Sequence, residues 1–213
     1  MVSESPVGRL YVLRHGETEW SRSGQHTGRT DIPLTARGEE QARVAGDLLR
    51  TLRGDAEPGP LVWCSPRTRA RETARLAGLT VDEVREDLGE WDYGDYEGRT
   101  TPDIRTEDPG WTVWSHPVPH GETHEAIAKR IDGVVADADR ELATRDVILV
   151  GHGHASRVLV ARYLGLPPAA GVGFAFDPAS VTVLGHERGA HRIDLLNVPG
   201  GLVEAPPPPA DRH

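Results

Sequence analysis

Short apolar runs punctuate the chain at wide intervals and are bounded by glycine, proline and charged residues. Runs of this length and composition are typical of strands that are buried on both faces of a sheet. The three clearest are Leu10–Leu13, Leu61–Cys64 and Val147–Val150. Near the end of the sequence, residues 181–184 and 192–196 flank a glycine-containing stretch and predict a closing pair of strands.

Other segments carry apolar residues at helical spacing. They cover about residues 36–53, 122–143 and 158–164. Thr35 stands where it can cap the first helix, and Gly54 stands where that helix can end. Ser65 and Pro66 follow the second predicted strand and predict a helix start there, with the serine as N-cap and the proline in the first turn.

Strands that alternate with helices predict an α/β domain. We expect one domain over residues 1–204, a three-layer α/β/α arrangement with a mostly parallel central sheet, followed by a disordered proline-rich tail at 205–213. In such sheets the ligand lies just beyond the carboxyl ends of the strands. The segments that leave buried strands at that edge are Arg14–Gly16, Ser65–Arg71 and Gly151–Gly153.

These segments bring together two histidines and several arginines, a combination that suits phosphate chemistry. Guanidinium groups bind phosphate oxygens in a bidentate fashion and stay charged at any working pH. A neutral imidazole nitrogen is a competent nucleophile and gives a covalent phosphohistidine. The sequence has no phosphate-binding G-x-x-x-x-G-K-[ST] loop, and Cys64 is not followed by the arginine of a C-x₅-R loop.

Composition narrows the choice of partner and compartment. The formal net charge of −9 over 213 residues argues against nucleic acid or an anionic membrane, but a local arginine cluster still permits a small phosphorylated substrate. Cys64 is the only cysteine, and the first residues lack the pattern of a signal peptide, so we expect a cytoplasmic protein. The sequence leaves open whether the protein forms a homodimer.

The motifs resemble those of the histidine phosphatase (phosphoglycerate mutase-like) superfamily. Arg14–Thr18 is similar to its signature, and further matches follow in family order from about residue 10 to 185. They are Trp20-Ser21, Thr27-Gly28, Leu34-Thr35, Ser65–Ala70, Leu88–Gly94, Gly121–Thr123 and His152-Gly153. Residues 20–28 and 90–98 look like two groups of that superfamily, the mutase-like acid phosphatases of actinobacteria and the sedoheptulose-bisphosphatase type.

The resemblance implies that His15 is the nucleophile and that Glu90 protonates the leaving oxygen and later activates water. It implies a phosphate pocket made of Arg14, Arg69 and His152. It implies a substrate-binding end made of Ser21, Thr27, Gly28, Tyr93 and Gly153. Because the family arginine directly precedes an alanine, Arg69 is chosen over Arg67 and Arg71. A protonated Glu90 predicts turnover that favours mildly acidic pH.

Two sets of histidines suggest a metal site. The set His116, His120 and His124 is interrupted by prolines and a glycine, and the pair His152 and His154 lacks obvious further ligands. We therefore expect neither a metal nor another cofactor.

Three activities are weighed: a phosphatase, a phosphoglycerate mutase that depends on a bisphosphate, and a module that only binds phosphate. Mutases typically follow the acid with basic residues, whereas Trp91 and Asp92 follow it here, and Arg29 stands where mutases have tryptophan. This favours a phosphatase. The resemblance alone implies that the substrates are sugar phosphates or a broad range of monoesters. The segment 100–120 is a candidate lid, and the sequence leaves open whether Trp91, Trp111 and Trp114 belong to the core or to the pocket wall.

Overall fold

The apolar runs lie side by side at the centre of one six-stranded sheet. The computed structural model describes residues 8–199. The strands are β1 (Leu10–Arg14), β2 (Leu61–Cys64), β3 (Glu83–Val84), β4 (Val147–Gly151), β5 (Val181–Glu187) and β6 (Ala190–Val198). Their order is β3-β2-β4-β1-β5-β6, with β1 to β4 parallel and the last two strands antiparallel to their neighbours. The predicted, mostly parallel sheet with a closing strand pair is confirmed.

The helices cover both faces of this sheet because successive strand residues point in opposite directions. The helices are α1 (Glu19–Ser23), α2 (Ala36–Arg53), α3 (Thr68–Leu76), α4 (Thr101–Arg105), α5 (His124–Leu142) and α6 (Gly153–Tyr163). Leu10 and Val12 of β1 pack toward α5 and α6, whereas Tyr11 and Leu13 pack toward α2 and α3. The result is the predicted three-layer α/β/α domain.

The bounds of α2 agree with the sequence prediction because both of its capping signals operate. The hydroxyl of Thr35 accepts the N–H of Gly38 at 3.0 Å. Gly54 closes the helix with a positive φ of 61°, and its N–H donates to the carbonyl of Arg50. The sequence is sufficient to predict both ends of this helix, because the capping groups lie at the ends of the helix itself.

The predicted start of α3 is wrong. The helix begins at Thr68, three residues after Ser65, and the Ser65 hydroxyl lies 2.6 Å from His152 Nε2. Asp31, from a distant loop, accepts both the N–H and the hydroxyl hydrogen of Thr68. A long-range acceptor therefore replaces the local serine cap and shifts the start of the helix.

The strand register brings three chain segments to one edge of the sheet. Arg14 is in register with Gly151, and Cys64 with Val150, so the chain leaves β1, β2 and β4 at the same end. The tail at 205–213 lies outside the described residues, and the domain limits 1–204 stay a prediction. Within residues 8–199, the apolar length that a bilayer-crossing helix needs is not reached by any helix.

Candidate active site

A cavity of about 440 Å³ opens at this edge of the sheet. The predicted site residues on its wall are Arg14, His15, Ser21, Thr27, Glu90, Tyr93 and Gly153. The remaining three, Arg69, His152 and Gly28, are buried directly beside that wall. Side chains from distant parts of the sequence therefore meet where the strand order predicts a ligand site.

The imidazole of His15 has one defined role for each ring nitrogen. His15 directly follows β1, and its backbone N–H donates to the Gly151 carbonyl at 2.9 Å. Its Nδ1 donates to the Gly16 carbonyl at 2.7 Å, which leaves the lone pair on Nε2. Burial, together with the Arg69 and Arg14 guanidinium groups, lowers the pKa of His15 well below its usual value. The ring is therefore neutral at physiological pH, with Nε2 as its free basic atom.

Several buried nitrogens around His15 lack a hydrogen-bond partner among the described residues. They are Arg14 Nε, Arg69 Nε and His152 Nδ1. Buried donors are normally satisfied, and leaving one unmade costs about 1–3 kcal/mol. A tetrahedral anion beside His15 is the kind of ligand that would accept these donors together.

The tautomer of His152 follows from its neighbours. Its ring centroid lies 5.2 Å from that of His15, and its side chain is fully buried. Among the described residues, the Ser65 hydroxyl hydrogen has no acceptor other than His152 Nε2, which lies 2.6 Å from Ser65 Oγ, and we assign the hydrogen to that bond. With Nε2 as acceptor, Nδ1 carries the hydrogen and becomes a donor toward the site. Burial and the Arg69 charge lower the pKa of His152 well below its usual value, consistent with this neutral form.

Arg69 is fully buried, and its terminal nitrogens are occupied by backbone carbonyls. Nη1 donates to Thr30 at 2.9 Å, and Nη2 donates to Thr27 at 3.0 Å and to Gly28 at 3.1 Å. The Nε hydrogen and the second hydrogen of Nη1 are left for a ligand. By comparison Arg71 is exposed, and Arg67 is half-buried at the cap of α3.

Glu90 lies on the cavity wall and is held by three backbone donors. Its carboxylate accepts the N–H of Trp91 at 2.9 Å, of His154 at 3.1 Å and of Ala155 at 2.7 Å. Two of these N–H groups belong to the first turn of α6, where backbone donors have no partner within the helix and an anion is favourable. The carboxyl group is thereby fixed at one position beside His15's cavity.

An aromatic group that the sequence reasoning missed surrounds the outer part of the cavity. The Tyr93 hydroxyl donates to His154 Nδ1 at 2.5 Å. The ring of His26 lies 4.7 Å from that of Tyr93. Burial lowers the pKa of His26 to about 4, and burial and Arg157 lower that of His154 well below its usual value. Both histidines therefore line the cavity as neutral rings. His154 lies in the first turn of α6, two residues after His152, whereas the approach of His26 to Tyr93 leaves no local sequence signal.

Segment 100–120 contributes part of the cavity wall through Thr101, Thr112, Val113 and Trp114. Trp111 is fully buried in the core and donates from Nε1 to the Pro117 carbonyl. The Arg157 guanidinium lies 4.5 Å from the centre of the Trp114 ring. Trp114 is thus the pocket-wall residue and Trp111 the core residue; movement of the segment as a lid stays a prediction.

The residues cited against mutase activity lie away from the cavity wall. Trp91 is fully buried and donates from Nε1 to the Glu122 carbonyl at 2.9 Å. Asp92 pairs with Arg29 at 2.9 Å, so its charge is already matched. A paired carboxylate repels a second phosphate less than a free one does, so Asp92 is weaker evidence against mutase activity than the sequence alone implies.

The sequence matches the family model of the histidine phosphatase superfamily (branch 1) over residues 10–199. It is 48% identical to an acid phosphatase of Mycobacterium tuberculosis over 192 residues, which cover 90% of this chain and 93% of that relative. It is 34% identical to sedoheptulose 1,7-bisphosphatase of Saccharomyces cerevisiae over 184 residues, which cover 74% of this chain and 68% of that relative.

The fold agrees with a solved structure of an open reading frame product from Mycobacterium tuberculosis. The TM-score is 0.88 at 47% sequence identity, over 91% of this chain and 99% of that one. The family and the phosphatase activity that the motifs predict are both confirmed. This chain belongs to the histidine phosphatase superfamily.

Proposed function

We propose that the protein hydrolyses phosphate monoesters through a phosphohistidine on His15. Nε2 of His15 attacks the phosphorus atom, and the bond from phosphorus to the ester oxygen breaks. Water then attacks the phosphohistidine, and inorganic phosphate leaves with His15 restored. The observation that carries this proposal is a set of buried donors on Arg14, Arg69 and His152, which have no partner within residues 8–199, around a neutral His15.

Glu90 acts as the proton donor and acceptor in this scheme. In the first step its carboxylic acid gives a proton to the leaving ester oxygen, and in the second its carboxylate takes one from the attacking water. Support comes from its place on the cavity wall and from the three N–H donors that fix its carboxyl group. A module that only binds phosphate would not need an acid at this position.

The substrate class we propose is a small phosphorylated molecule such as a sugar phosphate. The cavity, of about 440 Å³, is large enough for a sugar ring next to the phosphate. Its outer wall combines aromatic rings with hydroxyl groups, from Trp114, Phe176, Thr101 and Ser21. The printed names of the relatives, acid phosphatase and sedoheptulose 1,7-bisphosphatase, support the same class.

Phosphoglycerate mutase activity is the second candidate, because a relative called a probable phosphoglycerate mutase is 32% identical over 168 residues. A mutase must hold a doubly phosphorylated ligand, which calls for a second group of cations. Beyond Arg14, the arginine on the cavity wall is Arg157, and two of its nitrogens already donate to the carbonyls of Gly171 and Val172. This arrangement favours transfer of the phosphoryl group to water.

The deciding experiment is phosphate release from a panel of monoesters, sugar bisphosphates and 3-phosphoglycerate, with and without 2,3-bisphosphoglycerate. Enzyme quenched with detergent at alkaline pH should carry an alkali-stable, acid-labile phosphoryl group in the wild type and none in His15→Ala. No release from any substrate overturns the phosphatase proposal, and full activity in His15→Ala overturns the nucleophile. Isomerisation of 3-phosphoglycerate that exceeds hydrolysis would favour the mutase, and loss of turnover in EDTA would show that the reaction needs a metal.

We propose that the protein is located in the cytoplasm. Cys64 is the only cysteine in the sequence and is fully buried, and burial raises the pKa of its thiol to about 12. A single unreactive thiol is compatible with a reducing compartment and makes an internal disulfide impossible. Fractionation of the native host followed by immunoblotting tests this location, and recovery of the protein outside the cytoplasm would contradict it.

The homodimer stays a prediction, and analytical ultracentrifugation of the purified protein can test it.

A further inference from the structure

Two histidines and a carboxylate cluster at the edge of the sheet opposite the cavity. His186 lies near the end of β5 and is in register with His191 near the start of β6. Because β5 runs antiparallel to β1, the end of β5 lies at the amino end of β1, whereas His15 follows the carboxyl end. Asp139 of α5 faces the two histidines. This cluster, which we call the hairpin cluster, is spatially separate from the phosphate site.

The ligand atoms of the hairpin cluster are spaced as they are around a metal ion. Asp139 Oδ1 lies 3.2 Å from His191 Nε2 and 3.8 Å from His186 Nε2, and all three ligand atoms lie within 4.8 Å of one another. A tetrahedral ion with bonds of about 2.0–2.1 Å holds its ligand atoms about 3.4 Å apart. Small side-chain adjustments are therefore sufficient to close the three atoms around one ion.

The surroundings of His191 orient it as a ligand. Its Nδ1 donates to the Tyr163 carbonyl at 2.7 Å, and its ring stacks on the Tyr163 ring with centroids 3.9 Å apart. A hydrogen bond from Nδ1 to a carbonyl is the usual support of a metal-bound histidine, because it leaves the lone pair on Nε2. That lone pair faces the Asp139 carboxylate at 3.2 Å. Two acceptors at this distance require a cation between them, either a proton or a metal.

Donor chemistry selects the class of ion. Two imidazoles and one carboxylate suit zinc and the neighbouring transition-metal dications, whereas magnesium and calcium prefer oxygen ligands alone. The side chains of His191 and Asp139 are 29% and 33% exposed, so an ion can reach them and water can complete its coordination. His186 is nearly buried and supplies the inner side of the site.

We propose that Asp139, His186 and His191 bind a transition-metal dication, with zinc as the first choice, which links α5 to the β5–β6 hairpin. None of the three residues belongs to either of the two histidine sets that the sequence pattern suggested. Its role is structural, because it lies at the opposite end of the sheet from His15. A bound ion should therefore stabilise the hairpin without changing phosphate chemistry.

The test uses the full chain, stripped with EDTA and then dialysed, with zinc added in a calorimetric titration and in a thermal melt. Wild type should take up zinc at the hairpin cluster and melt at a higher temperature. Asp139→Asn and His186→Gln should bind zinc at least about tenfold more weakly and lose that rise in melting temperature. The matched control is His120→Gln, since His120 pairs with Asp95 at 2.9 Å on the surface but has no place in the cluster.

Two outcomes overturn the proposal: wild type that takes up no zinc, or Asp139→Asn that binds zinc as tightly as wild type. The first would mean that a proton alone joins His191 to Asp139. Hydrogen exchange on the wild type gives a readout that needs no variant. Zinc should slow exchange in β5 and β6, and exchange slowed only around the cavity would contradict the proposal.

Discussion

Arg69 and Glu97 hold the same loop from opposite sides. Arg69 donates to the carbonyls of Thr27, Gly28 and Thr30, while the Glu97 carboxylate accepts the N–H groups of Gly28 and Thr30 at 2.9–3.0 Å. Gly28 is necessary in this arrangement, because a Cβ there would lie 2.7 Å from the backbone carbonyl oxygen of Trp91, which cannot move aside as a side chain can. The loop therefore connects the buried arginine to the substrate end of the cavity.

Removing the Glu97 carboxylate should loosen this loop. We expect Glu97→Ala to lower the free energy of unfolding by about 1–3 kcal/mol and to raise KM severalfold with a smaller change in kcat, since two buried N–H groups lose their acceptor. Glu97→Gln is the control, because Oε1 alone accepts from both Gly28 and Thr30. Urea unfolding and steady-state kinetics measure these two effects. If Glu97→Ala and Glu97→Gln had the same unfolding free energy and the same KM, the acceptor role of the Glu97 side chain would be contradicted.

The neutral state of His15 predicts how activity responds to acid. Burial, Arg69 and Arg14 lower its pKa, so the unprotonated nucleophile persists well below the usual imidazole range. The value of kcat/KM, corrected for the second ionisation of the substrate near about pH 6, should not decline through the ordinary histidine pKa. Arg14→Gln removes one of the charges and should move the acid limb toward higher pH. A wild-type limb at the ordinary histidine value would contradict this account.

Stability should also fall in acid, and His26 gives a defined contribution. Its pKa is about 4 in the folded protein against the ordinary 6.5, so the unfolded chain binds the proton more readily. The stabilisation is complete above pH 6.5 and is lost as pH falls toward 4, in total about 3 kcal/mol. His26→Phe keeps a ring in place but cannot titrate. Its loss of unfolding free energy between about pH 7 and pH 4.5 should be smaller than that of wild type; parallel curves would contradict the assignment.

The sequence predicts elements well where their determinants are local. The central strands follow from short apolar runs, and α2 follows from Thr35 and Gly54 at its ends. The start of α3 is missed because Asp31, far away in sequence, supplies the acceptor. The five-residue helix α1 carries a capping box at Thr18, but it is too short for an apolar repeat to indicate it.

The same contrast between local and long-range determinants applies to the candidate site. His15 and His152 follow predicted strands, so topology alone brings them to one edge of the sheet. His154 comes two residues after His152 in the first turn of α6, so the same strand end positions it. The approach of His26 to Tyr93 depends on tertiary packing, and no spacing in the sequence encodes that meeting. Tertiary packing also decides which nitrogens of an arginine are free, which the sequence cannot show.

Glu90 should matter in proportion to how poor the leaving group is. We expect Glu90→Gln to lose about 100-fold or more in kcat/KM on an alkyl phosphate, whose leaving oxygen needs a proton, and far less on p-nitrophenyl phosphate. The carboxyl group also accepts three N–H donors at the start of α6, so thermal melts must first show that the variant is folded. Equal losses on both substrates in a folded variant would indicate a positioning role instead of proton transfer.

Trp111 and Trp114 should respond differently to removal, although both belong to segment 100–120. Trp111 is fully buried, so Trp111→Ala should lower the free energy of unfolding by about 3–5 kcal/mol. Trp114 lines the cavity beneath Arg157, so Trp114→Ala should mainly raise KM and change the ranking of substrates. Phosphate release across the monoester panel, together with urea unfolding, separates the two effects. Unchanged kinetics with every substrate in Trp114→Ala would remove segment 100–120 from substrate recognition and end the lid hypothesis.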